Sequence, residues 1–365
     1  MRSVLSLLAL VFLFSCKSQK KPVAISYLNK DAVFNKDSVR AFLERVSTAQ
    51  TDSGKAVFLK GVDFLKNSKN GSAAVEAFVQ SLTIYPTATA YYELGNAYLQ
   101  TKNWQTALRS FEMAEAMNYT PIGSTLFGQA SCYAEMDSTE RAFDYLTYAV
   151  QNGFVDRTKF LSNPHFASYK SDGTLLTTYN QAMSGNGDPD EILWQGYTQD
   201  FKSASFPYRV DSGSLRKMGD LAVISYDYEK YVPEMRDNKF SRDVGSEYFY
   251  VAKVMQTELC SVVLYGCHSY EYGGAPSYYI LASFNNKGKL IDKMVVGGAK
   301  TFDDNYKEFT AQSATRFQIQ EYKNTYEKST DENGYEDNRV TARSLIGTQQ
   351  FSITSEGKFV TAQQG

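Results

Sequence analysis

Three windows of the chain repeat one pattern of small and bulky apolar residues at a spacing of about 34 residues, the length of one helical hairpin in a repeat array. The central window places Tyr91, Leu94, Gly95, Tyr98, Ala107, Phe111 and Ala114 at helical intervals on either side of a turn around Thr101. The third window carries Ala130, Tyr133, Ala142, Leu146 and Ala149, each 35 positions beyond its counterpart. The first window closes with Ala74, Phe78, Ser81 and Pro86, and its opening helix is degenerate, with Val62 at the position of Gly95 and Leu65 at that of Tyr98. Small residues at Gly95, Ala107, Ala114 and Ala130 let paired helices approach, while Tyr98, Phe111, Tyr133 and Leu146 fill the space between hairpins. One hairpin cannot bury its apolar face alone, so neighbours must stack, and about three are needed for stability. Leu, Ala and Phe at helical spacing also describe the core of an ordinary helical bundle.

The pattern resembles the tetratricopeptide repeat (TPR), with repeats at residues 55–87, 88–121 and 123–155 inside a helical region 37–183. The resemblance implies a binding scaffold rather than a catalyst. It also assigns concave positions to each first helix: Tyr92, Asn96 and Leu99 in the second repeat, Phe127, Ser131 and Ala134 in the third, and Leu59, Asp63 and Lys66 in the first. Leu59 and Asp63 do not suit capture of a C-terminal carboxylate. The expected groove is apolar and uncharged, fitted to a helix or extended segment of a partner. Residues 37–50 carry Val39, Phe42, Leu43 and Val46 on one stripe and are expected to form one amphipathic helix capping the first repeat.

The N-terminus carries a second signal. Arg2 precedes a run from Val4 to Phe14 broken only by Ser6. A membrane-spanning helix needs about 20 residues, so the run reads as a secretory signal peptide, residues 1–15. Leu13 and Ser15 before Cys16 resemble a bacterial lipobox, although Phe14 departs from the usual small residue. That resemblance implies cleavage before Cys16 and acylation, palmitate included, at this residue. Residues 16–36 then form a lipidated tether, polar and free of acid through Pro22. The expected location is the outer membrane of a bacterial envelope, facing the periplasm. Formal charge is −2, so the chain as a whole offers no attraction to nucleic acid.

Beyond Ala149 the helical pattern weakens through short segments at 156–161, 163–169 and 174–183, and Ser184-Gly-Asn-Gly-Asp-Pro forms a linker. Residues 191–202 are expected to form a helix. After that the period becomes two, with strands expected to begin at Leu221, Tyr248, Cys260, Tyr278, Leu290, Thr315, Arg339 and Gln350. Hairpin signals at Asn285-Asn-Lys-Gly, Glu332-Asn-Gly and Ser355-Glu-Gly-Lys separate several of them. The fold class is therefore α+β and multidomain: an N-terminal solenoid of helical hairpins, then a mainly antiparallel sheet or sandwich over residues 190–365.

Chemistry-bearing residues are few. His165 and His268 are the only histidines, and Cys260, Cys267 and His268 match no zinc spacing. On one extended strand the two cysteines would stand over about 20 Å apart at about 3.3 Å per residue, too far for a disulfide unless the chain bends at Gly266. Asp331-Glu-Asn-Gly-Tyr-Glu-Asp puts its glycine at the fourth position, not the sixth that a calcium loop of the EF-hand kind requires. There is no nucleophile elbow and no phosphate loop. These features predict no catalytic residue, no metal and no cofactor. Tyrosines cluster in the second half, and Tyr270, Tyr272 and Tyr278 form a candidate aromatic binding face, since aromatic rings can stack on sugars. The leading expectation is a lipid-anchored scaffold binding another envelope protein or peptide segment through the groove. The alternative is a glycan- or nutrient-binding lipoprotein using the tyrosine face.

Overall fold

Polar caps mark where the hairpin helices start. In the computed structural model, which describes residues 26–171, 173–236, 243, 245–270, 276–335 and 338–362, Asn70, Thr87 and Asn103 each accept a backbone N–H three residues on. They open α3 (Gly71–Ile84), α4 (Ala88–Gln100) and α5 (Trp104–Ala116). Ahead of these lie α1 (Lys36–Leu43) and α2 (Thr48–Val62); behind them lie α6 (Ile122–Glu135) and α7 (Thr139–Gln151). Helices α2 with α3, α4 with α5, and α6 with α7 pair as successive hairpins that stack in order. The turn inside each hairpin holds one left-handed residue, Lys69, Lys102 or Asp137, so the backbone repeats as the sequence does.

The core shows why the small residues recur. Phe111 is fully buried between two glycines. A Cβ added at Gly95 would stand 2.7 Å from its ring, and one at Gly128 would stand 2.6 Å away. In the first hairpin Gly61 faces Phe78 in the same way, at 2.6 Å. Gly61, not Val62, is therefore the equivalent of Gly95. The residue between that glycine and the turn is accommodated by a π-helical turn over Asp63–Asn67. The expected helix over 37–50 is also corrected: it stops at Leu43, and Ser47 caps a separate α2.

After α7, α8 (Arg157–Ser162), a 3₁₀ turn (Pro164–Tyr169) and α9 (Thr174–Met183) fold over the third hairpin. Helix α10 (Pro189–Thr198) follows; residues 199–202, expected to continue it, do not.

Among the described residues the second half holds nine strands: β1 (Tyr208–Val210), β2 (Ser246–Gln256), β3 (Cys260–Ser269), β4 (Tyr278–Asn285), β5 (Leu290–Gly298), β6 (Tyr306–Ser313), β7 (Arg316–Tyr326), β8 (Val340–Ile353) and β9 (Phe359–Thr361). Strands β2 to β9 pair in chain order, all antiparallel, and β1 pairs with β6. A single residue pair, Gly298 with Lys307, joins β5 to β6. Residues of β2–β4 and of β6–β8, among them Phe249, Leu264, Leu281, Phe309, Phe317 and Phe351, share one core cluster. The sheet thus folds over on itself at the β5–β6 corner.

The opposite face of β2–β4 is also covered. Tyr248, Tyr250, Tyr265 and Tyr278 pack under Trp194, Tyr197, Tyr228 and Tyr231. Coverage on both faces explains the nearly unbroken apolar run of β3. Alternation sends Cys260 to one face and Cys267 to the other, and both thiols are free. Three expectations for this half are corrected. The segment from Leu221 is not a strand but an irregular edge, with Ile224 and Ala222 hydrogen-bonded to Tyr248 and Tyr250. The strands expected from Arg339 and Gln350 are one strand, β8. Strands β1 and β6 escape the period-two reading, β1 because it is only three residues long.

The turns after α3, α5 and α7 face the second half, and Tyr119 meets Ser225 there at 2.9 Å. No helix among the described residues is long and apolar enough to cross a membrane.

Candidate functional site

The start of α2 and the end of β3 meet at this junction around a polar cleft of about 570 Å³. Close approach requires Gly54: a Cβ there would stand 2.4 Å from Cβ of Tyr85. The Gly54 carbonyl also accepts a hydrogen bond from the Ser81 hydroxyl at 2.8 Å. Asp52 and Lys55 then line the cleft from α2, Tyr85 and Thr87 from the α3–α4 turn, Thr89 from the first turn of α4, Glu247 and His268 from the sheet, and Tyr270 from just past β3.

Lys55 Nζ and Glu247 Oε2 are 3.1 Å apart, and both side chains are over nine-tenths buried. Tyr270 donates its hydroxyl to the same carboxylate at 3.0 Å. The ammonium also lies 5.3 Å from the centre of the Phe249 ring and 5.8 Å from that of Tyr270, within reach of a cation–π attraction. Burial and then the Glu247 charge push the Tyr270 hydroxyl well above the usual tyrosine range, so it stays a donor. His268 Nδ1 stands 2.5 Å from Ser277 Oγ, and its ring meets Tyr270 edge-on at 4.6 Å. Burial holds the imidazole below its ordinary pKa, with Asp52 and Glu247 pulling the other way. The cleft therefore presents fixed donors and acceptors of both signs. Among the described residues no carboxylate is hydrogen-bonded to His268, so the Ser277–His268 contact lacks the orienting third group of an activated nucleophile. No group of three His, Cys, Asp or Glu residues able to hold a metal occurs among the described residues.

The five expected groove residues do not form an open groove, a correction of the concave-face reading. Phe127 is buried, stacked on Phe154 at 4.0 Å and tilted against Phe160 and Phe166. The helices after the third hairpin cover it. Ser131 is buried and donates to the Phe127 carbonyl. Leu99 packs with Ala107, Phe111 and Cys132. Tyr92 is half-buried, stacked on Tyr119 at 4.3 Å beside the 225–227 segment. Asn96 is half-buried and donates to Glu93, which also holds Lys66 at 2.9 Å.

The tyrosine face is also redistributed. Tyr278 is buried in the core cluster that also holds Trp194 and Tyr197, with Cys267 beside it, and Tyr270 belongs to the junction cleft. Tyr272 and Cys16 lie outside the described residues. Lys55 and Glu247 escape sequence reasoning because nothing local marks either one; their pairing is made by the docking of α2 on β2. No family model matches the chain, and no curated protein matches it in sequence.

Proposed function

We propose that the chain is an envelope lipoprotein anchored through Cys16, and that its TPR-like helical array and β-rich half act together as a protein–protein interaction scaffold. Its contact lies at the junction cleft rather than along the concave face. The observation that carries this reading is the buried Lys55–Glu247 pair at the edge of a roomy polar cleft, while Leu99, Phe127 and Ser131 are covered by the chain itself. Pockets between structural units that combine fixed charges with aromatic walls are common recognition sites. A charged or polar segment of another envelope protein is the occupant this chemistry favours.

The test is a photocrosslinking residue placed at Thr89, which lines the cleft, and at Thr177, exposed on α9. A discrete adduct is expected in cells from the Thr89 position and none from Thr177. Adducts from Asn96 with none from Thr89 would restore the concave face as the contact.

The anchor is tested separately. Cys16→Ser is expected to move the protein from the membrane to the soluble fraction and to stop processing. Membrane retention with unchanged electrophoretic mobility would remove the lipid from the proposal. Several acyl chains on one residue give stable retention, because each buried methylene contributes roughly 0.8 kcal/mol.

A further inference from the structure

The described part of the chain begins beside the junction cleft. Gln50, 1 % exposed, donates its side-chain amide to the Ser26 carbonyl at 2.7 Å and to the Ile84 carbonyl at 2.8 Å. The Leu28 N–H donates to the Thr83 carbonyl at 2.7 Å. Followed backward from Leu28 to Ser26, the chain therefore passes from Thr83 to Ile84, and the next residue along, Tyr85, lines the cleft. Asp52, two residues past Gln50, lines it as well. The segment before Ser26 is thus attached at the rim of the cleft.

Cleft and segment are complementary in charge and in polarity. Three carboxylates, Asp52, Asp220 and Glu247, and one ammonium, Lys55, line the cleft. Lys55 and Glu247 neutralise each other. Asp52 on α2 and Asp220 in a 3₁₀ turn (Met218–Asp220) are exposed, and among the described residues neither is held in an ion pair. Burial holds His268 below its ordinary pKa, so it adds no positive charge at neutral pH. The cleft therefore keeps a net negative charge. Half-buried Leu215, Leu221 and Val223 give it an apolar side. Residues 16–25 read Cys-Lys-Ser-Gln-Lys-Lys-Pro-Val-Ala-Ile, with three lysines, no acid and two branched apolar residues.

We propose that residues 20–25 fold back into the junction cleft, with Lys20 and Lys21 toward Asp52 and Asp220 and with Val23 and Ile25 toward the apolar side. Five residues from Lys21 to Ser26 span up to about 17 Å when extended, and Ser26 is already bonded to Gln50, so reach is not limiting. Pro22 biases Lys21 toward an extended backbone. No bimolecular encounter is needed, because a short linker gives an effective concentration on the order of millimolar. A partner must displace this segment to enter, so the chain guards its own cleft. The inference rests on the cleft alone and depends neither on the partner nor on the anchor.

A photocrosslinking residue in place of Val23, in the detergent-solubilised full-length protein, tests this. An adduct within one chain is expected, mapping by mass spectrometry to α2 or to residues 215–223. Lys20→Glu with Lys21→Glu is expected to cut its yield by about fivefold or more, and so is salt of about 1 M, where the screening length falls to about 3 Å. Adding Asp52→Lys and Asp220→Lys to that double variant is expected to restore the yield; both aspartates are exposed, so the reversal leaves the core intact. Adducts that map elsewhere overturn the proposal. So does a yield that charge reversal leaves unchanged. The Thr89 adduct joins two proteins and the Val23 adduct only one, so either reading can fail without the other.

Discussion

Lys55→Met is expected to lower stability by about 3–5 kcal/mol, the usual result of removing one partner from a buried ion pair. The cost comes from what remains. Glu247 keeps the Tyr270 hydroxyl as its one side-chain donor among the described residues, in a site where both charged side chains are over nine-tenths buried. Adding Glu247→Gln should recover most of the loss, because an amide tolerates burial better than an unpaired carboxylate and still accepts from Tyr270. Urea denaturation of both variants and the parent reads these effects. A single variant within about 1 kcal/mol of the parent would mean that water reaches the pair freely, as at exposed ion pairs. The junction would then not be the closed contact on which the cleft depends.

That pair also shows where sequence reading stops. The α+β order was legible because it rests on local signals: small residues at helical intervals in the first half, and short apolar or alternating segments divided by turn signals in the second. The repeat register failed by one residue at Val62 because a π turn leaves the apolar spacing almost unchanged while shifting the residue that faces Phe78. The groove failed for a different reason. Which face of a hairpin stays open depends on what packs against it later. Phe154, Phe160 and Phe166, which cover Phe127, belong to segments whose own pattern says only that they are short and apolar. The tyrosines mislead in the same way, because alternation on β2 to β4 marks two faces and cannot tell that α10 covers one of them. The junction cleft had little local signal: the tyrosine cluster flagged Tyr270 and the Cys/His grouping flagged His268, but nothing linked them to α2. Asp52, Lys55 and Glu247 are unremarkable in their own windows and converge only through long-range docking.

Phe111 provides the sharpest test of the hairpin packing, because two opposed effects predict opposite signs. Gly128 is inside α6, and replacing a helix-interior glycine with alanine ordinarily stabilises by about 0.8–1.0 kcal/mol. Here the new Cβ would stand 2.6 Å from the Phe111 ring, inside any normal contact, and overpacking of this kind costs about 1–3 kcal/mol. The ring has little room to swing away, since even a Cβ built on Gly95 of α4 would stand 2.7 Å from it. Gly128→Ala is therefore expected to destabilise, and Phe111→Ala to cost about 3–5 kcal/mol through loss of the fully buried ring. Combining Gly128→Ala with Phe111→Leu should cost less than the two single changes together, because the smaller side chain vacates the space that the new methyl enters. Denaturant midpoints for the four variants and the parent decide the matter. If Gly128→Ala raises stability by the helix-propensity amount, the ring does not lie between the two glycines. The equivalence of Gly61, Gly95 and the recurrent phenylalanine would then lose its physical basis.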